Sequence, residues 1–339
     1  MRAYEILPEG EGMDRLRMVE RPEPSPGQGQ VKLRVRAASL NYRDQLMVRG
    51  GYRTGQTGRP VIPLSDGAGE VVEVGPGVTR VKVGDRVAAT FFQPWVDGRP
   101  PKGFASLGNP LDGMLTEAIV LDEDGVVTLP GYLSFEEAAC LPCAALTAWH
   151  ALFVAGRPLR AGQTVLVQGT GGVSIFALQF ARAAGARVIA TTSSDEKASR
   201  LKALGASEVV NYRSHPEWDK EVRRLTGEQG VDVVVEVGGA GTLPRSYQAV
   251  GWGGKICLIG VMTQPEDAAQ LNPIGLAFKS AALHGIMVGS RVMFEAMLEG
   301  MAANAIRPVI DRVFPFDQAA DAYRLAASGG FVGKLVVAI

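Results

Sequence analysis

Thr164-Val165-Leu166-Val167-Gln168-Gly169-Thr170-Gly171-Gly172-Val173-Ser174 is the stretch on which the reading of this chain turns. A short apolar run ends in closely spaced glycines and leads into an amphipathic segment over residues 173–184, so the glycines stand where a strand becomes a helix. At such a turn one glycine permits the tight bend and another lets the main chain approach a pyrophosphate. The helix N-terminus then offers N–H groups to the anion. The third small position is Ser174 rather than glycine, still compact enough for close packing of helix on strand. Residues 187–192 supply a second strand after a helix-length interval and complete a β-α-β unit. That context separates the motif from a chance pattern in a chain with 42 glycines. Gly169, Thr170, Gly171, Gly172 and Val173 are therefore the expected phosphate turn of a dinucleotide site.

Outward from this turn the pattern changes twice. Up to about Asp124 the sequence is turn-rich and β-like: residues 31–36 alternate, and residues 70–74 and 84–89 are further runs, together implying a small coiled sheet. From about residue 129 to 289, strand-like and helix-like segments alternate. Strands are expected at 164–168, 187–192, 208–212, 231–237, 255–260 and 282–288, and six strands with helical crossovers imply a doubly wound parallel sheet. A helix over 292–303 and a final strand over 334–339 can return to the N-terminal half, making the nucleotide domain an insertion. The expected division is 1–126, 127–290 and 291–339, in an α/β fold. Ligands in open parallel sheets bind at the carboxyl ends of the strands, which adds Gly238, Ile259 and Gly260.

Composition narrows the class. Lys+Arg and Asp+Glu both count 35, so no overall field attracts nucleic acid or an anionic membrane. The first residues lack an apolar signal core and no stretch has the roughly 20 uninterrupted apolar residues of a bilayer span. A cytoplasmic protein with a small-molecule substrate is expected. Three cysteines, Cys140, Cys143 and Cys257, form no disulfide framework.

The end of the second strand bears on the cofactor. An NAD site usually places a carboxylate about 20 residues past the glycines, whereas a 2′-phosphate needs hydroxyls and cations there. Thr191-Thr192-Ser193-Ser194 stand at the strand end, followed by Lys197 and Arg200. Asp195 dissents, but it falls at an expected helix N-cap, where a carboxylate has an ordinary structural role. Ser193, Ser194 and Lys197 are accordingly expected to receive the 2′-phosphate of NADPH, with a solvated helix face as the alternative for the cations.

Asn41-Tyr42-Arg43-Asp44, the glycine loop, Leu141-Pro142-Cys143-Ala144-Ala145-Leu146-Thr147-Ala148 and the ending Gly333-Lys334 together resemble the medium-chain dehydrogenase/reductase superfamily over nearly the whole chain. Within it the chain is most similar to the zinc-free quinone oxidoreductase branch, with its zeta-crystallin-like and enoyl-reductase-like members. The resemblance implies a GroES-like β-rich catalytic domain interrupted by a Rossmann domain. It also places Thr147 near a nicotinamide, Tyr212 against the adenosine 2′-phosphate, and Lys334 reaching back to the cofactor. Where the alcohol dehydrogenase branch holds catalytic zinc with an early Cys and a Gly-His-Glu motif, this chain has Asn41-Tyr42-Arg43-Asp44 and Leu64-Ser65-Asp66-Gly67. No metal is expected. A thiolate site from Cys140, Cys143 and His150 is the weaker alternative, because Pro142 interrupts the spacing and a free Cys usually behaves as a small core residue.

Without a metal, reduction of a conjugated double bond is the natural chemistry, since an enone or quinone spreads the incoming hydride's charge over its own π-system. The protein then mainly orients two planar groups and offers a proton or hydrogen bond. Asn41, Tyr42 and Tyr52 are candidate donors, Tyr52 by its match to the tyrosine of family enoyl reductases; Asp44 is placed to orient the cofactor or pair with an Arg. Each has a packing or capping role as its alternative. The Phe91-Phe92-Gln93-Pro94-Trp95 segment is expected to line the substrate pocket or to be an apolar bridge. Two other readings stay open, a zinc-free alcohol or aldehyde oxidoreductase and a non-catalytic NADPH-binding structural or sensor protein. Relatives pair through the edge strand of the nucleotide sheet, so a homodimer is expected through residues 282–288.

Overall fold

A computed structural model of the chain describes residues 1–51, 58–103, 105–260, 262 and 274–339. They form two compact units, one of Met1–Leu146 with Val288–Ile339 and one of Thr147–Met287. The second is thus inserted into the first. Residues 127–146, expected with the nucleotide domain, belong to the first unit. Val126–Thr128 pairs with Arg86–Ala89, and the helix Phe135–Ala139 is tied down where the Ser39 hydroxyl donates to the Ala139 carbonyl at 2.8 Å.

In the first unit, Gln30–Ser39 is the central strand. Val31, Leu33 and Val35 alternate inward while Lys32, Arg34 and Arg36 point outward, the period-2 pattern of a half-buried strand. Its neighbours build a seven-stranded sheet in the order Ile310–Pro315, Lys334–Ala338, Gln30–Ser39, Asp66–Val74, Arg86–Ala89, Val126–Thr128, with Ala118–Asp122 also on Gln30–Ser39. The last strand of the chain therefore lies against its first long one, Val336 opposite Ser39. Leu33, Leu64, Met114, Leu115, Tyr323 and Leu335 fill the core beneath.

The second unit is a six-stranded, wholly parallel sheet. Its order is Glu208–Asn211, Arg187–Thr192, Thr164–Gln168, Val231–Glu236, Val250–Leu258, Ala282–Gly285, so strand order reverses between the first and fourth strands in sequence. Val165–Val167 and Val233–Val235 are almost wholly enclosed because helices cover both faces, which is why these strands read as unbroken apolar runs. The fifth strand begins five residues earlier than expected. Gly251-Trp252-Gly253-Gly254 reads as a turn, and Gly253 has a positive φ of 69°, yet the chain is already paired with its neighbour at Val250. The sixth strand stops at Gly285. No helix among the described residues is long and apolar enough to cross a membrane.

Candidate active site

The glycine turn has the geometry its sequence implies. Gly169 takes a φ of +73°, which favours glycine, and Gly171 is the N-cap of the helix Gly172–Ala183. A Cβ built on either glycine would meet no atom within 4 Å, so the main chain here is open to close approach by a phosphate. Ser174 is more than a small filler. Its hydroxyl donates to the Gln168 carbonyl at 2.6 Å and closes the turn onto the strand that precedes it. The residues present therefore fit a dinucleotide's pyrophosphate.

One strand over, Ser194 rather than Asp195 caps the helix Asp195–Ala203, its hydroxyl accepting from the Lys197 N–H at 3.3 Å. Asp195 is the first helical residue, and its carboxylate accepts from the Asn211 amide at 2.9 Å. Tyr212 is 41% exposed, with its N–H on the Thr192 carbonyl at 2.9 Å. Ser193, Ser194, Lys197 and Tyr212 thus share the carboxyl ends of two adjacent strands.

A buried polar cluster missed from sequence lies across the point where strand order reverses. Glu236, fully enclosed, ends the fourth strand. One of its oxygens accepts from the N–H groups of Gly238 (2.8 Å) and Gly239 (2.9 Å) and from the Thr242 hydroxyl (2.6 Å). The other accepts from the Gln168 amide at 2.7 Å and from the Ser246 hydroxyl. Gln168, in turn, accepts from the Val237 and Gly238 N–H groups at 3.2 and 3.3 Å. Gly238 has no room for a side chain, since a Cβ would stand 2.1 Å from the Thr242 hydroxyl oxygen, and a Cβ on Gly260 would stand 2.4 Å from the Gly239 nitrogen. The Glu236 carbonyl accepts from the N–H groups of Ile259 and Gly260, so Gly238, Ile259 and Gly260 form two interlocked strand-end loops. Thr147, almost fully buried, lies in the helix Leu146–Trp149.

In the first unit, Asn41 caps the short helix Tyr42–Val48. Asp44 accepts from the Asn41 N–H at 2.7 Å in a capping box. Asp44 is wholly buried and lies 3.9 Å from the Arg43 guanidinium, so the capping and the Arg pairing expected of it are both present; burial pushes its carboxyl up to about 6, against the pull of Arg43. Tyr42 is 40% exposed. Arg43 lies over the Phe91 ring at 4.3 Å and donates to the Ser106 hydroxyl at 3.0 Å and to the Leu107 carbonyl. Phe91, Phe92 and Trp95 are buried within this unit. Tyr52 lies outside the described residues.

Lys334 is the least expected member. It is 3% exposed and donates to the Leu40 carbonyl and to the Asn41 side-chain oxygen, both at 2.7 Å; its ammonium lies 3.7 Å from the buried Asp66 carboxylate. Asp66 also accepts from the Ser65 hydroxyl at 2.7 Å and from the Cys143 N–H at 3.1 Å. All these partners belong to the first unit, an internal role for the lysine that the resemblance did not imply. At the places the resemblance gives to the zinc ligands of the alcohol dehydrogenase branch, this chain thus holds an amide, a hydroxyl and a carboxylate already served by an ammonium. That donor set does not fit zinc. Burial pushes the Cys140 and Cys143 thiols up to about 12, and no group of three or more potential ligands is found among the described residues.

A family model described as an alcohol dehydrogenase GroES-like domain matches residues 27–131, and one described as a zinc-binding dehydrogenase matches residues 172–303. The chain is 41% identical to a zinc-type alcohol dehydrogenase-like protein of Schizosaccharomyces pombe over 99% of both chains. It is 32% identical to the acryloyl-coenzyme A reductase of Metallosphaera sedula over 95% of both, and 30% identical to the quinone oxidoreductase of Rattus norvegicus over 93% of this chain and 90% of that one. Among solved structures, an NAD-dependent alcohol dehydrogenase superposes with a TM-score of 0.90 at 34% identity over 100% of both chains. A mycobacterial protein complexed with NADPH superposes with a TM-score of 0.81 at 29% identity, again over 100% of both. Shared sequence along the whole length, a GroES-like domain and an inserted Rossmann sheet have one reading: the chain belongs to the medium-chain dehydrogenase/reductase family of oxidoreductases.

Proposed function

We propose that the protein is an NADPH-dependent reductase that passes hydride to a conjugated acceptor, such as a quinone, an enone or an enoyl thioester, without a metal. The observation that carries this reading is the Lys334 ammonium on Asn41 beside Asp66, a cation held where a zinc enzyme would need empty ligands. An alcohol's oxygen needs a Lewis acid or a strong donor to carry developing charge, whereas a conjugated acceptor delocalises it. NADPH supplies the hydride when bound. The chain's own residues orient it, the turn at Gly169–Gly172 holding phosphate and the strand ends holding the ribose side. Tyr42 remains as an exposed donor, with Tyr52 as the competing candidate. The relatives named acryloyl-coenzyme A reductase and quinone oxidoreductase support this chemistry. Purified protein is expected to oxidise NADPH with members of a quinone, enone and enoyl-thioester panel, and to do so undiminished in a chelator. Oxidation of primary alcohols at comparable kcat/KM, abolished by the chelator, would overturn the proposal and favour the alcohol dehydrogenase reading.

For the cofactor, the Asp195 carboxylate is engaged by the Asn211 amide, and the strand end itself carries Ser193 and Ser194 with Lys197 in the helical turn that follows, a set of hydroxyls and a cation suited to a 2′-phosphate. Tighter binding of NADPH than NADH is expected, and the double change Lys197→Ala with Arg200→Ala should weaken NADPH by about tenfold or more, as befits two lost charge contacts, with NADH nearly unaltered. Equal loss for both, by fluorescence titration, would count against the assignment.

Among the described residues Ala282–Gly285 is the edge strand of the second unit's sheet, and Leu283 on it is partly exposed. Nearby in sequence and strand pairing, Trp252 is 79% and Phe278 70% exposed, and a main-chain bond from the Gly253 N–H to the Lys279 carbonyl brings their backbones together. A second copy covering this apolar edge is the reading we favour. Light scattering at micromolar concentration is expected to give twice the chain mass; a monomer would rule it out.

A further inference from the structure

Glu236 and Gln168 end the two neighbouring strands between which the order of the sheet reverses, and their side chains are hydrogen-bonded to each other there. In a sheet of this order a dinucleotide crosses the carboxyl edge at that point, one half on the first three strands and the other on the last three. Resting on the nucleotide reading above, we propose that Glu236, bridged by Gln168, is the positioning residue that fixes the loop Val237–Thr242 against the phosphate turn, and thereby sets the nicotinamide half of the cofactor relative to its pyrophosphate.

Three features carry this. A fully buried carboxylate with no ion pair among the described residues is costly unless donors surround it, and Glu236 has five, three of them on the loop after its own strand. Core packing alone would be served by an apolar residue at less cost, as the valines before it are. Gln168 is bound at both ends of its polarity. Its amide nitrogen donates to Glu236, its side-chain oxygen accepts from Val237 and Gly238, and its main-chain carbonyl accepts from Ser174 at the start of the nucleotide helix. One residue thus joins the helix that receives pyrophosphate, the turn at Gly169 and the loop of the opposite half. Finally, the loop has no slack: Gly239 has a φ of +88°, and Gly238 and Gly260 are packed too closely for a Cβ. A shift at Glu236 would therefore be passed to both strand-end loops.

Glu236→Gln places an amide nitrogen against donors on one side of the cluster. Titration of the full protein with NADPH should show about a 10–100-fold rise in Kd, the range for disturbing charge-assisted hydrogen bonds in a buried site. Adenosine 2′,5′-bisphosphate, which carries only the adenosine half, should bind within about threefold of the unaltered protein, because its strands do not move. The exchange Gln168→Glu with Glu236→Gln restores complementarity: the new carboxylate accepts from Val237, Gly238 and the new amide, while the oxygen of that amide takes the three loop donors. NADPH affinity should return to within about threefold of the starting value. Should Glu236→Gln fail to fold, Thr242→Val removes a single loop donor and is expected to weaken NADPH about threefold with the bisphosphate unaffected. Equal weakening of both ligands, unchanged NADPH binding, or a folded exchange variant that does not recover would each overturn the positioning role. An unaltered protein that bound neither ligand would instead end the nucleotide reading itself.

Discussion

Gly171→Asp is expected to lower affinity for NADPH and NADH alike by at least about 100-fold while leaving the melting temperature almost unchanged. The site makes the experiment clean. Gly171 has φ −73° and ψ 171°, ordinary extended backbone for any residue, and a Cβ there meets nothing within 4 Å, so neither strain nor overlap follows from the substitution. It is also the N-cap of Gly172–Ala183, a position where aspartate is favoured because its carboxylate accepts the first free N–H groups of the helix. Those are the groups that a pyrophosphate would take. The new carboxylate both competes for them and stands against the phosphate charge. A pair of like charges about 4 Å apart costs about 4 kcal/mol at an effective dielectric of about 20, and even a half of this is more than a tenfold loss. Calorimetric titration with both cofactors, beside a thermal melt, checks it. Loss of one cofactor alone would contradict a pyrophosphate role, since both carry that group; unchanged binding of both would move the phosphate site elsewhere.

How far the sequence reveals all this depends on how local the information is. The glycine turn, the two strands beside it and the parallel sheet are legible because a strand covered on both faces becomes a continuous apolar run, and the turn's glycines lie within four residues of each other. The fifth strand is half hidden by its glycines at 251, 253 and 254, where tertiary pairing overrides local propensity. The cap before Asp195–Ala203 reads one residue too late from sequence, since serine and aspartate serve equally well there and only the hydrogen bond to Lys197 selects Ser194. Partnerships over long separations are not legible. Gln168 and Glu236 are 68 residues apart, and Lys334 is 293 from Asn41. A signal exists at Glu236, an acid directly after three consecutive valines, but nothing in the sequence names its donors. Asp44 shows a local case: it reads as a candidate for chemistry or for a cap because it sits three residues after Asn41, and the bond from the Asn41 N–H displays the cap.

Lys334 joins groups just as far apart, and its loss is expected to cost the fold stability. Lys334→Met keeps much of the volume and removes the ammonium, leaving the Leu40 carbonyl and the Asn41 oxygen without their 2.7 Å donor and the enclosed Asp66 carboxylate, among the described residues, to the Ser65 hydroxyl and the Cys143 N–H. Breaking a buried ion pair on one side costs about 3–5 kcal/mol, because the surviving charge keeps its desolvation penalty. For a body of about 200 residues this corresponds to roughly 2–4 °C per kcal/mol, hence a fall in melting temperature on the order of 10 °C. Asp66→Asn should cost less, since the ammonium retains its two oxygen partners, and the double variant should be more stable than the sum of the single losses predicts. The alternative has a different signature. If the ammonium served chiefly to reach a bound cofactor, as the family resemblance implied, Lys334→Met would weaken NADPH strongly and leave the melting temperature of the ligand-free protein nearly where it was. A loss of stability in the ligand-free protein, coupled to Asp66, assigns the lysine to the interior of the GroES-like unit and supports the view that its charge stands in for a metal there.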